Sequence, residues 1–565
     1  MGEDVARPAG EVVRVPRWVY PAVTLASLLV GAEAVVRGTR AVTTAADSDL
    51  TNFFLPSASY ILHGHPWQMY AVRASGGYPN FNPPLSMFVF APLLGLARAL
   101  GLAANLGEQI TFVSLPLLLL VPLLGLLVLV AARRLYPRMP DTQRFLIYVL
   151  VVLSPLTWQS IGGWYHLEQP LMLCFLIGAV ISLQRRHEAL AGLLAGLALL
   201  TRTTAMFPLL ALGVLLLIEH RWRAAALFGG IAVAVTAIGV APFFLFDRAD
   251  ATYSFLTWRG SAAIGGNSIW DIFASSSPGG IRHTLDGIAK RLDTPSVLLF
   301  VLGTAALAGW RLRVSAYSRD AWAVMGIAAL AVPMLSKTNW PYYYLEPFIL
   351  LLIWEFATMH DRLAGVWRWP VLTFGFLVVA ATLSQYLGLK SVGALDRIVL
   401  GVLEFGAMLA FAIALWVRMQ AAKPALATGS SAWGRAEPSF GMRASSLSAD
   451  AVWGAGPLPR GAQPPIWPAD PTAPGGPTVP RGRGSERYPP MPAPPPESPT
   501  MPASGRGGVP GQPGQPGQQM PGQQMPPQAP GASAGQAPRP GEWRGERPGM
   551  GAVWPQAPDG GRGGR

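Results

Sequence analysis

Between Asp47 and Pro92 the chain reads DSDLTNFFLPSASYILHGHPWQMYAVRASGGYPNFNPPLSMFVFAP, and most of its candidate chemistry begins there. The stretch carries Asp47, Asp49, His63, His65 and a lone Arg73 among many aromatics. It lies between two long apolar segments, Trp18–Val36 and Ile110–Ala132. Asp49 admits two readings. It can cap a helix over Leu50–His63, satisfying free N–H groups, with Pro56 shortening or kinking that helix. It can equally be a general base, because a carboxylate at the end of a span, half out of water, can be held rigidly and tuned. Asp47, two residues away, is the fallback for that role. His63 and His65 would need a third ligand from elsewhere to hold a metal. No HExxH or DxD-type cluster supplies one, so no metal is expected.

A second group lies downstream. His166 and Glu168 sit in the short turn Trp164-Tyr165-His166-Leu167-Glu168-Gln169, where either could orient a substrate or assist Asp49. A histidine beside aromatics at a loop end also reads as an interface residue. The cations expected on the same side are few: Arg73, Arg202, Arg259 and Lys337, with Arg282 a further candidate. Arg202 and Lys337 lie near span ends, where snorkelling is the plainer account.

These groups need a scaffold, and the composition says which kind. The chain has 565 residues, 51% hydrophobic and only 13% charged, against about 25% charged in soluble domains. Apolar runs recur through its first three quarters, so it reads as an all-α polytopic membrane protein of about twelve spans. Spans are expected near 18–37, 109–132, 145–162, 167–183, 189–203, 204–218, 223–246, 295–310, 321–336, 342–359, 368–387 and 397–417. The piece 84–102 reads as a juxtamembrane helix in the outer interface. The connections RRLYPRMPDTQR, QRRHE, EHRWR, WRLRVSAYSRD and HDRLAGVWR are arginine-rich, which puts them and both termini in the cytoplasm. The long loops 38–108 and 247–294 then face outward. The net charge of +13 is orientation charge, not a nucleic-acid footprint. Cys174, the single cysteine, excludes an intrachain disulfide and a cysteine metal site. Residues 1–17 form a polar cytoplasmic N-terminus, and 18–420 the membrane domain. From about 421 to 565 the chain is dominated by Pro, Gly, Ala, Ser and Gln, a composition that cannot offset its ordering entropy. A disordered cytoplasmic tail is expected, with docking to a cytoplasmic partner or anionic lipid as its functional alternative.

The pattern D-L-x-x-F, G-x-P-W-x-x-Y, Y-P, P-P-L and A-P-L after the first span resembles the GT-C superfamily of membrane glycosyltransferases. It is most similar to the polyprenyl-phosphomannose-dependent mannosyltransferases, glycosyltransferase family 87-like. Gly163–Gln169, Gln184-Arg185-Arg186, the Ala191-Gly192-Leu-Leu-Ala-Gly-Leu-Ala helix and Thr201-Arg202 continue the likeness, with Arg202 where the family has lysine. Asn267-Ser268-Ile269-Trp270 and Lys337–Pro347 extend it, although Lys-Thr-Asn-Trp stands where a family histidine is common. The resemblance covers about 30–390 and says nothing of the tail.

The resemblance implies transfer of a sugar, mannose by preference, from a polyprenyl-phosphate donor to a glycolipid, glycan or protein acceptor outside the cytoplasmic membrane. The family's loop aspartate, carried to Asp49, would take the acceptor proton, and the anomeric carbon would invert. The leaving phosphate needs positive charge nearby, so Arg202, Lys337, Arg73 and Arg259 become phosphate-binding candidates. Tyr78, Asn82, Trp270 and Tyr343 become candidates for sugar or acceptor contacts. No cofactor is implied beyond the lipid-linked sugar, which is a substrate, and the lipid bilayer is the solvent.

Two other classes compete. A twelve-span secondary transporter fits the loop charges, but the largest loops face outward and mid-span charges read as nearly absent. A non-catalytic scaffold would act through its tail.

Overall fold

The computed structural model describes residues 14–45, 48–73, 79–163, 165–257, 264–266, 268–270, 280–359, 370–387 and 394–421. The tail beyond 421, the candidates Asp47, Tyr78 and Arg259, and the side chain of Arg282 lie outside the described residues. The described chain is a helical membrane protein. Its first part runs through α1 (Val19–Ala45), a π turn (Leu50–Phe54), α2 (Leu55–Leu62), a 3-10 turn (Pro66–Tyr70), α3 (Pro84–Ala99), α4 (Leu106–Leu117) and α5 (Leu120–Leu135). Next come α6 (Asp141–Val152), α7 (Pro155–Trp158), a π turn (Gln159–Gly163), α8 (Glu168–Gln184), α9 (Glu188–Thr201), α10 (Met206–Ile218), α11 (Trp222–Phe246) and α12 (Arg248–Thr252). The last helices are α13 (Gly280–Arg311), α14 (Asp320–Leu335), α15 (Leu345–Thr358), α16 (Val371–Leu387) and α17 (Ala394–Ala421). A parallel pair of two-residue strands joins β1 (Gly265–Gly266) to β2 (Thr338–Asn339).

Among the described residues six helical stretches are long and apolar enough to cross a membrane: 19–40, 106–135, 141–162, 222–246, 287–311 and 398–421. Six shorter apolar helices accompany them. α11 exposes Val233, Ile238 and Leu245, which suits a surface facing acyl chains. α14 and α15 are buried along nearly their whole length and form the centre of one apolar cluster. A second cluster gathers α1 to α4 with Trp158 and Tyr165. The 3-10 turn Pro341–Tyr344, just before α15, joins the first cluster through Tyr344.

Small residues set the closest crossings. On α9, a Cβ at Gly192 would lie 2.6 Å from Phe228 O, and one at Gly196 2.6 Å from Val235 Cβ. The Ala-Gly-x-x-x-Gly pattern therefore lets α11 approach α9 backbone to backbone, as such motifs do in lipid. On α1, a Cβ at Gly38 would overlap Gly162 O, and one at Gly162 would lie 2.5 Å from Ala34 Cβ. This contact seats the Gln159–Gly163 turn, and the residues after it, on α1. Gly38→Val should cost about 1–3 kcal/mol by overpacking, read as a lowered unfolding midpoint in detergent.

The structure moves two expected boundaries. The segment expected as loop up to 294 is helical from Gly280. Ala289, Asp293, Val297, Val301, Ala305 and Ala308 form one buried stripe at helical spacing, which the polar residues between them hide in a hydropathy reading. The expected span 109–132 has a turn at Leu118–Leu119, after Pro116 removes a backbone donor.

The statement about mid-span charge is also corrected. Glu346, Glu355, Glu404 and Arg418 are all buried within helices. Glu355 is satisfied by Thr373 N and Oγ1 at 2.6 Å each and by Arg418. Glu404 accepts from Asn339 Nδ2 and Tyr344 Oη.

Polar loops sort to two ends. At one, Arg186 lies 3.3 Å and Arg221 5.1 Å from the ring centroid of Tyr317, whose hydroxyl donates to Glu188 at 3.2 Å. The other end carries the site.

Candidate active site

Asp49 does not cap the helix it precedes. Its backbone is already helical and its side chain makes no capping bond. Ser48 does that work, its Oγ accepting from Thr51 N at 3.2 Å. The turn that follows is a π turn, and it passes into α2 at Leu55, next to Pro56, which cannot donate. The expectation of an aspartate cap is thereby corrected. Asp49 Oδ2 instead lies 3.5 Å from His166 Nε2.

His166 is aimed by its neighbours. Tyr165 takes a left-handed backbone (φ +55°), unusual for a tyrosine. Its hydroxyl donates to Val35 O at 3.0 Å and lies 3.1 Å from Thr39 Oγ1, both on α1. Burial pushes that hydroxyl's pKa up, so it stays a donor. His166 N donates to Ser160 O at 2.9 Å, and Nδ1 faces Glu168 Oε1 at 2.7 Å. The imidazole therefore stands between two carboxylates, with Nε2 toward Asp49 and Nδ1 toward Glu168 Oε1 and, at 3.2 Å, Arg202 Nη1.

Arg202 closes the chain. It ends α9 with an extended backbone, and its Nη1 donates to Glu168 Oε1. Its guanidinium lies 4.8 Å from the ring centroid of Tyr342 and 5.6 Å from that of Tyr343. The Tyr342 ring in turn packs on His166 at 3.7 Å between centroids. Gln169 Nε2 donates to Tyr342 O, tying α8 to the 3-10 turn. Asp49 contributes electrostatically at both Arg202 and Tyr342. The side chain of Asp49 is 21% exposed, that of His166 4% and that of Glu168 2%. Asp49 is thus the most exposed member of the group, backed by a buried His166–Glu168–Arg202 chain.

A carboxylate so backed can accept a proton from a hydroxyl. Residues 80–336 match the model of glycosyltransferase family 87. The protein is a membrane glycosyltransferase, similar over this stretch to glycosyltransferase family 87. The matched stretch takes in His166, Glu168 and Arg202, while Asp49 precedes it and Tyr342 follows it. A search of curated proteins returned no match, and neither did a search of solved structures.

The other candidates in this glycosyltransferase fall into separate groups. Lys337 is buried and its Nζ lies 3.9 Å from Asp293 Oδ2 on α13. Beside it, Ser268 Oγ donates to Ser336 O at 2.8 Å and Trp270 Nε1 to Leu335 O at 2.7 Å. The Ser268–Trp270 motif thus packs on the segment that leads to Tyr342 and Tyr343. Arg73 pairs with Asp250 of α12 and lies 5.5 Å from the Tyr253 ring centroid, so it clasps the first loop to the end of α11. Near that clasp, burial and the neighbouring Asp250 raise the pKa of Asp247. Asn82 is buried; its Nδ2 donates to Asn80 Oδ1 at 3.4 Å, and its carbonyl accepts from Tyr70 Oη at 3.1 Å. Tyr343 is half-buried and meets Tyr342 edge-on at 4.7 Å. His63 is exposed, with Nδ1 2.7 Å from its own helix's Ser59 O, and His65 packs edge-on against Trp67. Among the described residues no group of three His, Cys, Asp or Glu is placed to hold a metal ion.

Sequence reasoning missed Glu346, in the first turn of α15 and in electrostatic contact with Arg202. Its signal was a carboxylate inside the apolar run LEPFILLLIWEF. It also gave no role to Tyr342 or Tyr165.

Buried Tyr70 and Tyr165 both have hydroxyl pKa values raised by burial. The folded protein then keeps these protons at a pH where the unfolded chain, with tyrosines titrating near about 10, has lost them. Stability is fully present below that value and falls as pH rises through it. Tyr165→Phe should flatten the fall, read from unfolding midpoints between about pH 9 and about pH 11.

Proposed function

We propose that this glycosyltransferase moves a sugar, mannose in our reading, from a polyprenyl-phosphate donor to a hydroxyl of a glycolipid, glycan or protein. The reaction takes place on the outer side of the cytoplasmic membrane. Asp49 is the general base. As the acceptor oxygen attacks the anomeric carbon, its proton passes to the Asp49 carboxylate. The bond from the anomeric carbon to the phosphate oxygen breaks, and polyprenyl phosphate leaves with the electron pair. One displacement inverts the anomeric centre.

The observation that carries this reading is the pairing of half-exposed Asp49 with buried His166, itself fixed by Glu168 and Arg202. His166 holds the carboxylate in one orientation, with Arg202 behind it. Arg202 and Lys337 are the preferred sources of positive charge for the leaving phosphate, with Arg73 and Arg259 as further candidates. Tyr343 and Trp270 offer ring faces and Tyr78 and Asn82 polar edges to sugar or acceptor. Loop charge supports the sidedness, since the described arginine-rich connections at Gln184–Glu188 and Glu219–Arg223 follow the ends of α8 and α10 away from the site.

The test is the stereochemistry of the product. Purified protein in lipid, given polyprenyl-phosphate-mannose of known anomeric configuration and an acceptor extract, should yield the opposite configuration by NMR. Retention would require a covalent intermediate and overturn the single displacement.

A further inference from the structure

Four buried polar atoms around Arg202 have no hydrogen-bond partner: Glu168 Oε2, Gln169 Oε1, Glu346 Oε1 and Arg202 Nε. Their side chains come from α8, the end of α9 and the start of α15, and each residue is more than nine-tenths buried. Interiors rarely leave such atoms unmatched, and four around one guanidinium is a concentration that a folding role does not explain. Each of the four residues is otherwise engaged. Glu168 Oε1 takes His166 and Arg202, Gln169 Nε2 donates to Tyr342 O, and Glu346 is in electrostatic contact with Arg202. Glu346 also neighbours Thr204, whose Oγ1 is itself without a partner, so the cluster has a hydroxyl of its own beside the spare acceptors.

Their chemistry selects a ligand. Three are acceptors and one is a donor. Two of the acceptors belong to carboxylates, so a phosphate would meet repulsion. A ligand that offers several O–H donors and one acceptor oxygen on the same edge matches them, and a hexose ring does so with its hydroxyls. The half-buried Tyr343 ring, 5.6 Å from the Arg202 guanidinium, gives the adjoining apolar face.

We infer that Glu346, Gln169 and the outer oxygen of Glu168 form the hydroxyl-reading subsite for the transferred sugar, with Arg202 Nε donating to a ring substituent. This rests on the proposed reaction and adds the groups that choose the sugar. Glu346 is the sharpest member to test, because no step of the displacement uses it. The subsite also separates the two halves of the donor. The hydroxyl edge faces the acceptors on the Nε side of Arg202, leaving the remaining face of that guanidinium and Lys337 to the phosphate.

The experiment couples the enzyme to its substrate. Wild type and Glu346→Leu are reconstituted in lipid and given polyprenyl-phosphate-mannose and its 2-, 3-, 4- and 6-deoxy forms. In wild type, removing a hydroxyl read by Glu346 should lower kcat/KM by about 10- to 100-fold, the range for a hydrogen bond to a charged group. In Glu346→Leu, the parent donor should lose a similar factor and the penalty for that one deoxy donor should vanish. Leucine matches the glutamate's bulk in an apolar surround, and Glu346→Met serves if the first variant fails to fold. Identical deoxy penalties in variant and wild type, or an unchanged kcat/KM with the parent donor, would overturn the subsite while leaving the proposed reaction standing. A wild type that uses no lipid-phosphate sugar would instead overturn the reaction itself.

Discussion

Asp49→Asn should lower turnover by about 100- to 10,000-fold, the usual contribution of a positioned base, with little change in stability. The amide keeps the shape of the carboxylate and can still face His166 Nε2. What it cannot do is take the acceptor proton. The side chain is partly exposed and makes no capping bond, so its loss leaves the π turn and α2 intact. A helix cap would behave oppositely, costing stability and sparing the rate. The check is a rate measured at equal folded concentration, with unfolding midpoints taken alongside. Full activity in the variant would move the base to Glu168 or to Asp47.

Arg202→Leu should destabilise the protein by about 3–5 kcal/mol and abolish transfer. Glu168 is only 2% exposed, and its contacts with Arg202 and His166 are its charge compensation. Removing the guanidinium strands a carboxylate in the interior, which is far costlier than losing a surface ion pair. The same change removes the cation packed on Tyr342 and Tyr343 and so loosens the turn that packs on His166. Replacing both partners distinguishes the two effects. The double variant Arg202→Leu, Glu168→Leu should recover part of the stability, because the stranded Glu168 charge is gone while Glu346 still lacks its cation, and none of the activity. Arg202→Lys should remain poorly active, since a point charge cannot serve Glu168 and the two rings together. Denaturant unfolding in detergent, paired with transfer assays, reads both.

Much of this arrangement was legible before any coordinates. Apolar runs bounded by arginine-rich loops marked the helices, because a bilayer admits little else. The junction between α9 and α10 fell at Arg202 as expected, since the pattern of small residues ends there. Asp49, His166, Glu168 and Arg202 were visible as polar groups at span ends. Their mutual pairing was not. Which carboxylate meets which cation depends on how α1 seats the Gln159–Gly163 turn, and that turns on Gly38 and Gly162 lying against each other. Local rules favoured Asp49 as a cap, and tertiary contact with His166 prevailed. Glu346 was hidden because a single carboxylate in a long apolar run barely moves the mean hydropathy. The early part of α13 was hidden for the opposite reason: its polar residues masked a buried stripe of Ala289, Asp293 and Val297.

The central claim is that a lipid-phosphate sugar is the donor. It is tested most directly by giving the purified, lipid-reconstituted protein either labelled polyprenyl-phosphate-mannose or labelled nucleotide-mannose, with the same membrane acceptor extract, and counting label in the product. The account predicts transfer from the lipid donor and none from the nucleotide sugar. Transfer from the nucleotide sugar, with none from any lipid-phosphate sugar, would contradict it.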